Sequence, residues 1–177
     1  MRAVFSIVLI LLFATTVSTG IRVKRGLSTD EQKKLVDTLN ADRQAVGENM
    51  GIAFEKLIYS KGLELKAENF RCDLPDERFE VVPLKMNQDM KETVKSPTIG
   101  MYLFSREFFN PNNTKIGCSK EKTCSITFED GPMAGKTAKF WGACRFGPKS
   151  HYDFDDSNTP EGAGMPSYEK YVDLLGI

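Results

Sequence analysis

Thr114-Lys115-Ile116-Gly117-Cys118, followed by Cys124 and then by Ala143-Cys144-Arg145-Phe146-Gly147-Pro148-Lys149-Ser150-His151-Tyr152, is the stretch on which the fold turns. Short runs rich in Ile, Thr, Val, Phe and Trp separated by turn residues read as strands. The expected strands are Thr98 to Phe104, Thr114 to Cys118, Thr123 to Phe128 and Ala138 to Phe146, with Asn-Pro, Asp-Gly-Pro and Gly-containing turns between them. Strands so close in sequence predict an antiparallel sheet in the second half of the chain.

Helical patterns precede the sheet. Ser28-Thr29-Asp30-Glu31 has the form of a capping box, in which the serine accepts from the amide three residues on and the glutamate reaches back. Leu35, Leu39, Val46 and Met50 then share a narrow arc at 100° per residue, with Lys33, Lys34, Asp37 and Asp42 outside it and Gly47 and Gly51 marking the end. A second helix opens on Ser60 and sets Leu63, Ala67 and Phe70 at helical spacing up to Cys72. Between Asp73 and Pro97 the chain is charged and interrupted by Pro75, Pro83 and Pro97. It offers a short strand around Phe79 to Val82 and a short helix at Asn87 to Val94. Tyr168, Tyr171, Val172, Leu174 and Leu175 form an amphipathic turn at the end. Helices first and a sheet after them is an α+β order.

The first residues assign a compartment. Arg2, the apolar run Val4 to Phe13 and the small residues Ala14 to Gly20 make residues 1–20 a signal peptide. Its apolar core is about ten residues long where a membrane span needs about twenty, so the expected product is secreted and extracellular, with no integral membrane segment. Residues 21–27 read as a linker or short propeptide. Within them Arg22-Val23-Lys24-Arg25 fits the R-x-K-R pattern that proteases with acidic pockets cut after the last arginine, and is equally readable as a solvated basic linker. The domain proper is expected over 28–177.

Arg2, Arg22, Lys24 and Arg25 belong to the 24 basic residues, and no acid precedes the domain. The domain therefore holds 20 basic against 24 acidic residues, a charge of −4. That balance, with no basic stripe, argues against nucleic-acid or anionic-membrane partners. Four cysteines in an exported chain are expected to pair, and spacing alone permits three connectivities.

Asn40-x-x-Arg43 and Leu57-Ile58-Tyr59-Ser60-x-x-Leu63-x-x-x-Ala67-x-x-Phe70-x-Cys72, taken with "T-K-I-G-C" and "C-x-F-G-P-x-x-H-Y", resemble the CAP superfamily of cysteine-rich secretory proteins, antigen five and plant pathogenesis-related proteins. The resemblance covers roughly residues 30 to 72 and 98 to 152. It implies an α-β-α sandwich and the pairs Cys118 with Cys144 and Cys72 with Cys124. Loop-closure entropy puts these bonds at roughly 3.5 and 4 kcal/mol.

In typical CAP domains two histidines and two glutamates converge in a cleft that can bind a divalent metal. One histidine falls in "H-Y-T-Q" before "I-G-C", where this chain has Phe104-Ser105-Arg106-Glu107. The other follows the helix cysteine, where it has Asp73-Leu74-Pro75-Asp76-Glu77. A phenyl ring can neither ligate a metal nor accept a proton, so the resemblance points to a divergent member without the tetrad, with no cofactor and no metal. His151, the single histidine, stands where the family usually has asparagine and reads as a turn or rim residue. Phe104, Glu107 and His151 are the candidate ligand-cleft residues. Gly47-Glu48-Asn49-Met50 looks like the family's "G-E-N" motif but lies before the helix cysteine, where the family has it after; Glu48 is read as solvated.

Other motifs are weaker. Gly131-Pro132-Met133-Ala134-Gly135-Lys136-Thr137 has three residues between its glycines where a phosphate loop has four, and reads as a β-turn. Asp153, Asp155, Asp156 and Asn158 lack the glycine and glutamate of a calcium loop. Asn112-Asn113-Thr114 is a glycosylation sequon in a turn. One histidine and four cysteines expected to pair leave almost nothing with which to assemble a nucleophile and base. The expected function is therefore a non-enzymatic extracellular binding scaffold for a protein or lipid. The alternatives are a secreted hydrolase with an unrecognised carboxylate site, or a sterol or fatty-acid carrier whose apolar cleft would draw on Met101, Phe104, Phe108 and Phe109.

Overall fold

A computed structural model describes residues 26–72, 81–89, 91, 107–129, 134–148, 152, 154, 158–167 and 169–177. Its elements are α1 (Thr29–Met50), β1 (Ile58–Tyr59), α2 (Lys61–Asn69), β2 (Val82–Met86), β3 (Lys115–Thr127), β4 (Thr137–Gly147) and α3 (Glu169–Leu175). The fold is α+β, built on a four-stranded sheet in the order β1-β3-β4-β2.

The capping box forms as the sequence predicts. Ser28 N donates to Glu31 Oε2 at 2.7 Å while Glu31 N donates to Ser28 Oγ at 3.3 Å. The helix runs on through Gly47 and ends at Gly51, whose left-handed backbone (φ 68°) closes the C-terminus. Ser60 caps α2, its hydroxyl accepting from Leu63 N at 3.3 Å.

The antiparallel pairing expected of the later strands is present, and the sheet as a whole is mixed. β3 and β4 are antiparallel, and so are β4 and β2, but β1 pairs with β3 in parallel, Ile58 opposite Lys115 and Tyr59 opposite Ile116. A parallel neighbour needs a long crossover, and more than fifty residues separate β1 from β3. The two strands expected at Thr114–Cys118 and Thr123–Phe128 are one strand with a register shift between Ser119 and Thr123. Pro83, read as a strand end, lies inside β2, which among the described residues is an edge strand, where the ladder tolerates a proline. The expected Thr98–Phe104 strand lies outside the described residues. Of the phosphate-loop-like residues, 134–136 belong to the β3–β4 hairpin turn, where Gly135 N donates to Phe128 O at 2.9 Å, and Thr137 starts β4.

Helices cover both sides of the sheet. Gly117 faces α2 so closely that a Cβ there would sit 2.1 Å from Glu64 N and 2.5 Å from Ser60 O. On the opposite face Ile116, Cys118 and Cys144 join Leu35, Leu39, Val46 and Met50 of α1, Phe108 and Phe109, and Tyr171, Val172 and Leu175 of α3 in one core. A second core on the α2 side holds Phe70, Val81, Met86, Cys124, Phe140 and Ala143, with Phe70 and Phe140 stacked at 6.0 Å. One disulfide serves each core. Cys118 and Cys144 are directly opposite in the β3–β4 register, with Cα atoms 4.0 Å apart, and Cys72–Cys124 ties the end of α2 to β3 at 5.7 Å. These are the pairs that the resemblance implies.

The domain starts earlier than residue 28. Leu27 is fully buried in the main core and Gly26 bridges to Ser119, so the end of the 21–27 segment belongs to the fold: an apolar side chain next to an N-cap finds the core that the helix covers.

Two outcomes are expected. Gly117→Ala should destabilise by about 2–3 kcal/mol in urea unfolding, because its methyl meets helix backbone that cannot rotate away. The Glu31 carboxylate is held down at about 2, chiefly by Lys120 Nζ at 2.7 Å and then by the Ser28 amide. A lowered folded pKa stabilises above the unfolded value near 4.5 and loses that contribution as pH falls through about 2. The pair is partly exposed, so the loss should stay below about 1 kcal/mol. Unfolding curves between pH 5 and pH 2 should show it in the native protein and not in Glu31→Gln.

Candidate binding groove around Arg43

Arg43 falls on the buried face of α1, between Leu39 and Val46, and is 1% exposed. Among the described residues no carboxylate receives it. Nη1 donates to the carbonyls of Phe108 (2.7 Å) and Asn110 (2.9 Å), and Nη2 to those of Glu55 (3.0 Å) and Asn113 (3.1 Å). The guanidinium also lies 5.1 Å from the Phe54 ring centroid, within cation–π range. Burial lowers its pKa to about 10, so it remains a cation at neutral pH, stabilised by carbonyl dipoles in place of a counterion.

Asn40, one turn earlier, fixes the same segment from the other side. Its Nδ2 donates to Leu57 O at 2.9 Å and its Oδ1 accepts from Leu57 N at 2.8 Å, as a neighbouring strand would. Together Asn40 and Arg43 hold 52–57 and 107–113 against α1. That placement delivers β1 to the sheet edge, where Ile58 N donates to Thr114 O at 2.9 Å and Ser60 N to Ile116 O at 2.7 Å.

Between the end of α1 and residues 52–56 lies an open groove of about 490 Å³, with Gln44, Glu48 and Gly51 on one wall and Ile52, Phe54 and Lys56 on the other. The volume suits a small ligand or one inserted side chain. Glu48 is exposed on the rim and accepts from Gln44 Nε2 at 3.0 Å, so it is solvated as expected, but it borders a concave surface. The C-terminal segment braces the far end of α1: Asn158 Nδ2 donates to Met50 O at 3.0 Å and Asn49 Nδ2 to Ala163 O at 2.9 Å. Asn158, weighed as a cation ligand, thus caps a helix. Asp42 accepts from Lys170 Nζ at 2.7 Å and from the Tyr171 hydroxyl at 2.9 Å. Burial and the bond to Asp42 push the Tyr171 phenol upward.

Of the candidate cleft residues, Phe104 and His151 lie outside the described residues, as do Arg25, Met101 and the Asp73–Glu77 stretch. Glu107 is half-buried on the segment that Arg43 grips, where Asn113 Nδ2 donates to its carbonyl and its Oε2, both at 3.1 Å. Phe108 and Phe109 are core residues, each 1% exposed. Asn112 is exposed in the turn after Asn110, open to a glycan. Among the described residues no three His, Cys, Asp or Glu side chains gather as a metal ion would need, and no helix is long and apolar enough to cross a membrane.

The groove and the Arg43 anchor were absent from the sequence-based site. The available signal was an arginine and an asparagine, three apart, on an otherwise apolar helix face.

No protein-family model matches the chain, and no curated protein does. Among solved structures, the crystal structure of hookworm platelet inhibitor matches with a TM-score of 0.42 and 17% identity, over 76% of each chain.

Arg43→Met should lower stability by at least about 3 kcal/mol in urea, since four carbonyls lose their donors in the interior. Arg43→Lys should recover only part of it, because an ammonium cannot span four acceptors spread across two segments. An Arg43→Met protein as stable as the native one would contradict the anchoring role.

Proposed function

We propose that this protein is a secreted, non-enzymatic binding domain of the CAP type that engages an extracellular protein through the groove beside α1. The observation that carries this reading is the commitment of Arg43. The strongest polar group beneath the groove donates to four main-chain carbonyls, so it sets the shape of the wall and is not offered to a substrate. What the groove presents outward is a half-buried Ile52 and Phe54 rimmed by Gln44, Glu48, Glu55 and Lys56. An apolar floor with a polar rim is the anatomy of a protein-recognition patch.

Further support comes from the signal peptide and the two disulfides, which suit an oxidising compartment. The CAP reading rests on the quoted helix and strand motifs, on Phe104 and the Asp73–Glu77 stretch standing at the family's histidine positions, and on the paired cysteines. Glycosylation at Asn112 belongs to the same reading.

The test is a photo-crosslinking residue at position 48, on the rim, in protein secreted with its disulfides formed. A discrete crosslink to one extracellular protein, lost in Lys56→Glu at unchanged melting temperature, is the expected result. Zinc or cadmium should leave the melting temperature unchanged. Stoichiometric lipid in native mass spectra would favour the carrier, and a metal-dependent rise in melting temperature would favour a retained site; either would displace this reading.

A further inference from the structure

We propose that the chain is matured by cleavage of the Arg25–Gly26 peptide bond, and that the new Gly26 ammonium docks on the Glu64 carboxylate and locks the amino terminus to the start of α2. The described residues begin at Gly26, directly after the basic run Arg22-Val23-Lys24-Arg25 in the sequence. Gly26 bridges to Ser119, Leu27 is sealed in the core and Ser28 caps α1.

Gly26 lies against Glu64. A Cβ at position 26 would fall 2.2 Å from Glu64 Oε1 and 2.6 Å from Oε2, so the carboxylate occupies the space that any side chain would need. The Gly26 nitrogen, about 2.5 Å from that Cβ position by covalent geometry, is no more than about 4.7 Å from Oε1. Once freed from Arg25, rotation about the Gly26 Cα–C bond can bring it into contact.

The acceptor is suited to a third donor. The Glu64 side chain is 13% exposed, against 60% for its ion-pair partner Lys61. It accepts from the Tyr59 hydroxyl at 2.5 Å and from Lys61 Nζ at 2.9 Å. A carboxylate offers about four lone-pair sites, and a largely shielded one gains more from a pinned ammonium than from the mobile Lys61. Tyr59 also bonds the Cys118 main chain, its oxygen 3.1 Å from Cys118 O and 3.2 Å from Cys118 N. The docked terminus would thereby connect to β3 beside the disulfide.

The reagents are water and an endoprotease that reads paired basic residues. Water oxygen bonds to the Arg25 carbonyl carbon as the C–N bond breaks. Arg25 departs with a carboxylate, and the Gly26 nitrogen keeps the proton and becomes the ammonium.

The experiment secretes the full chain from eukaryotic cells and reads its amino terminus by intact mass and terminal sequencing. The expected terminus is Gly26, with Arg25→Gln retaining the longer form. The processed protein should melt about 3 °C above Arg25→Gln, the scale of one good charge-assisted contact in a domain of this size. Glu64→Gln should abolish that processed-minus-unprocessed difference. So should an alanine inserted between Arg25 and Gly26, which keeps the basic run and displaces the ammonium. A mature terminus other than Gly26, or an undiminished difference in either variant, would overturn the proposal.

Discussion

A buried cation held by main-chain carbonyls governs this fold. Arg43 must leave water to sit between Leu39 and Val46, and hydrogen bonds to its guanidinium, with the Phe54 ring beside it, offset that desolvation. Four carbonyls from two segments provide them. Those segments have almost no regular structure, so their main-chain acceptors would otherwise lack partners. Arginine and loops are stable together and expensive apart, and the path of 52–57 and 107–113 follows from that mutual need.

The sheet depends on the result. Residues 55–57 lead straight into β1, and 110–114 into β3, so the group that holds both also sets the parallel pairing of Ile58–Tyr59 with Lys115–Ile116. From β3 the architecture is fixed by close approach. Gly117 admits the backbone of α2 on one face, while the Cys118–Cys144 bond fills the other. A larger residue at 117 would lift the helix away and open the core around Phe70 and Phe140.

What the sequence disclosed follows the range of the forces involved. The capping box, the α1 stripe, the Ser60 cap and the β4 strand were legible because they depend on residues a few positions apart. The parallel edge was not, since β1 is two residues long and its partner lies beyond fifty more. The burial of Leu27 was not legible, because a lone leucine after a basic run carries no periodicity. Pro83 suggested a strand end, and only the place of β2 at the sheet edge shows why the strand continues. For the site, the groove arises from the way α1 and 52–56 are tied together by carbonyls that no motif encodes.

The proposed binding role asks the groove wall to keep its shape without a partner, a rigidity that Arg43 and Asn40 would impose. Native-state hydrogen exchange resolves this at the amides of Ile52, Leu57 and Asn113, which donate to Gly47 O, Asn40 Oδ1 and Asn110 O. If the arginine anchor joins these segments to the core, their exchange should slow to the rate of global unfolding and share its denaturant dependence. Fast exchange at these three amides, independent of denaturant while α1 stays protected, would show that the segments open on their own and that Arg43 does not anchor them.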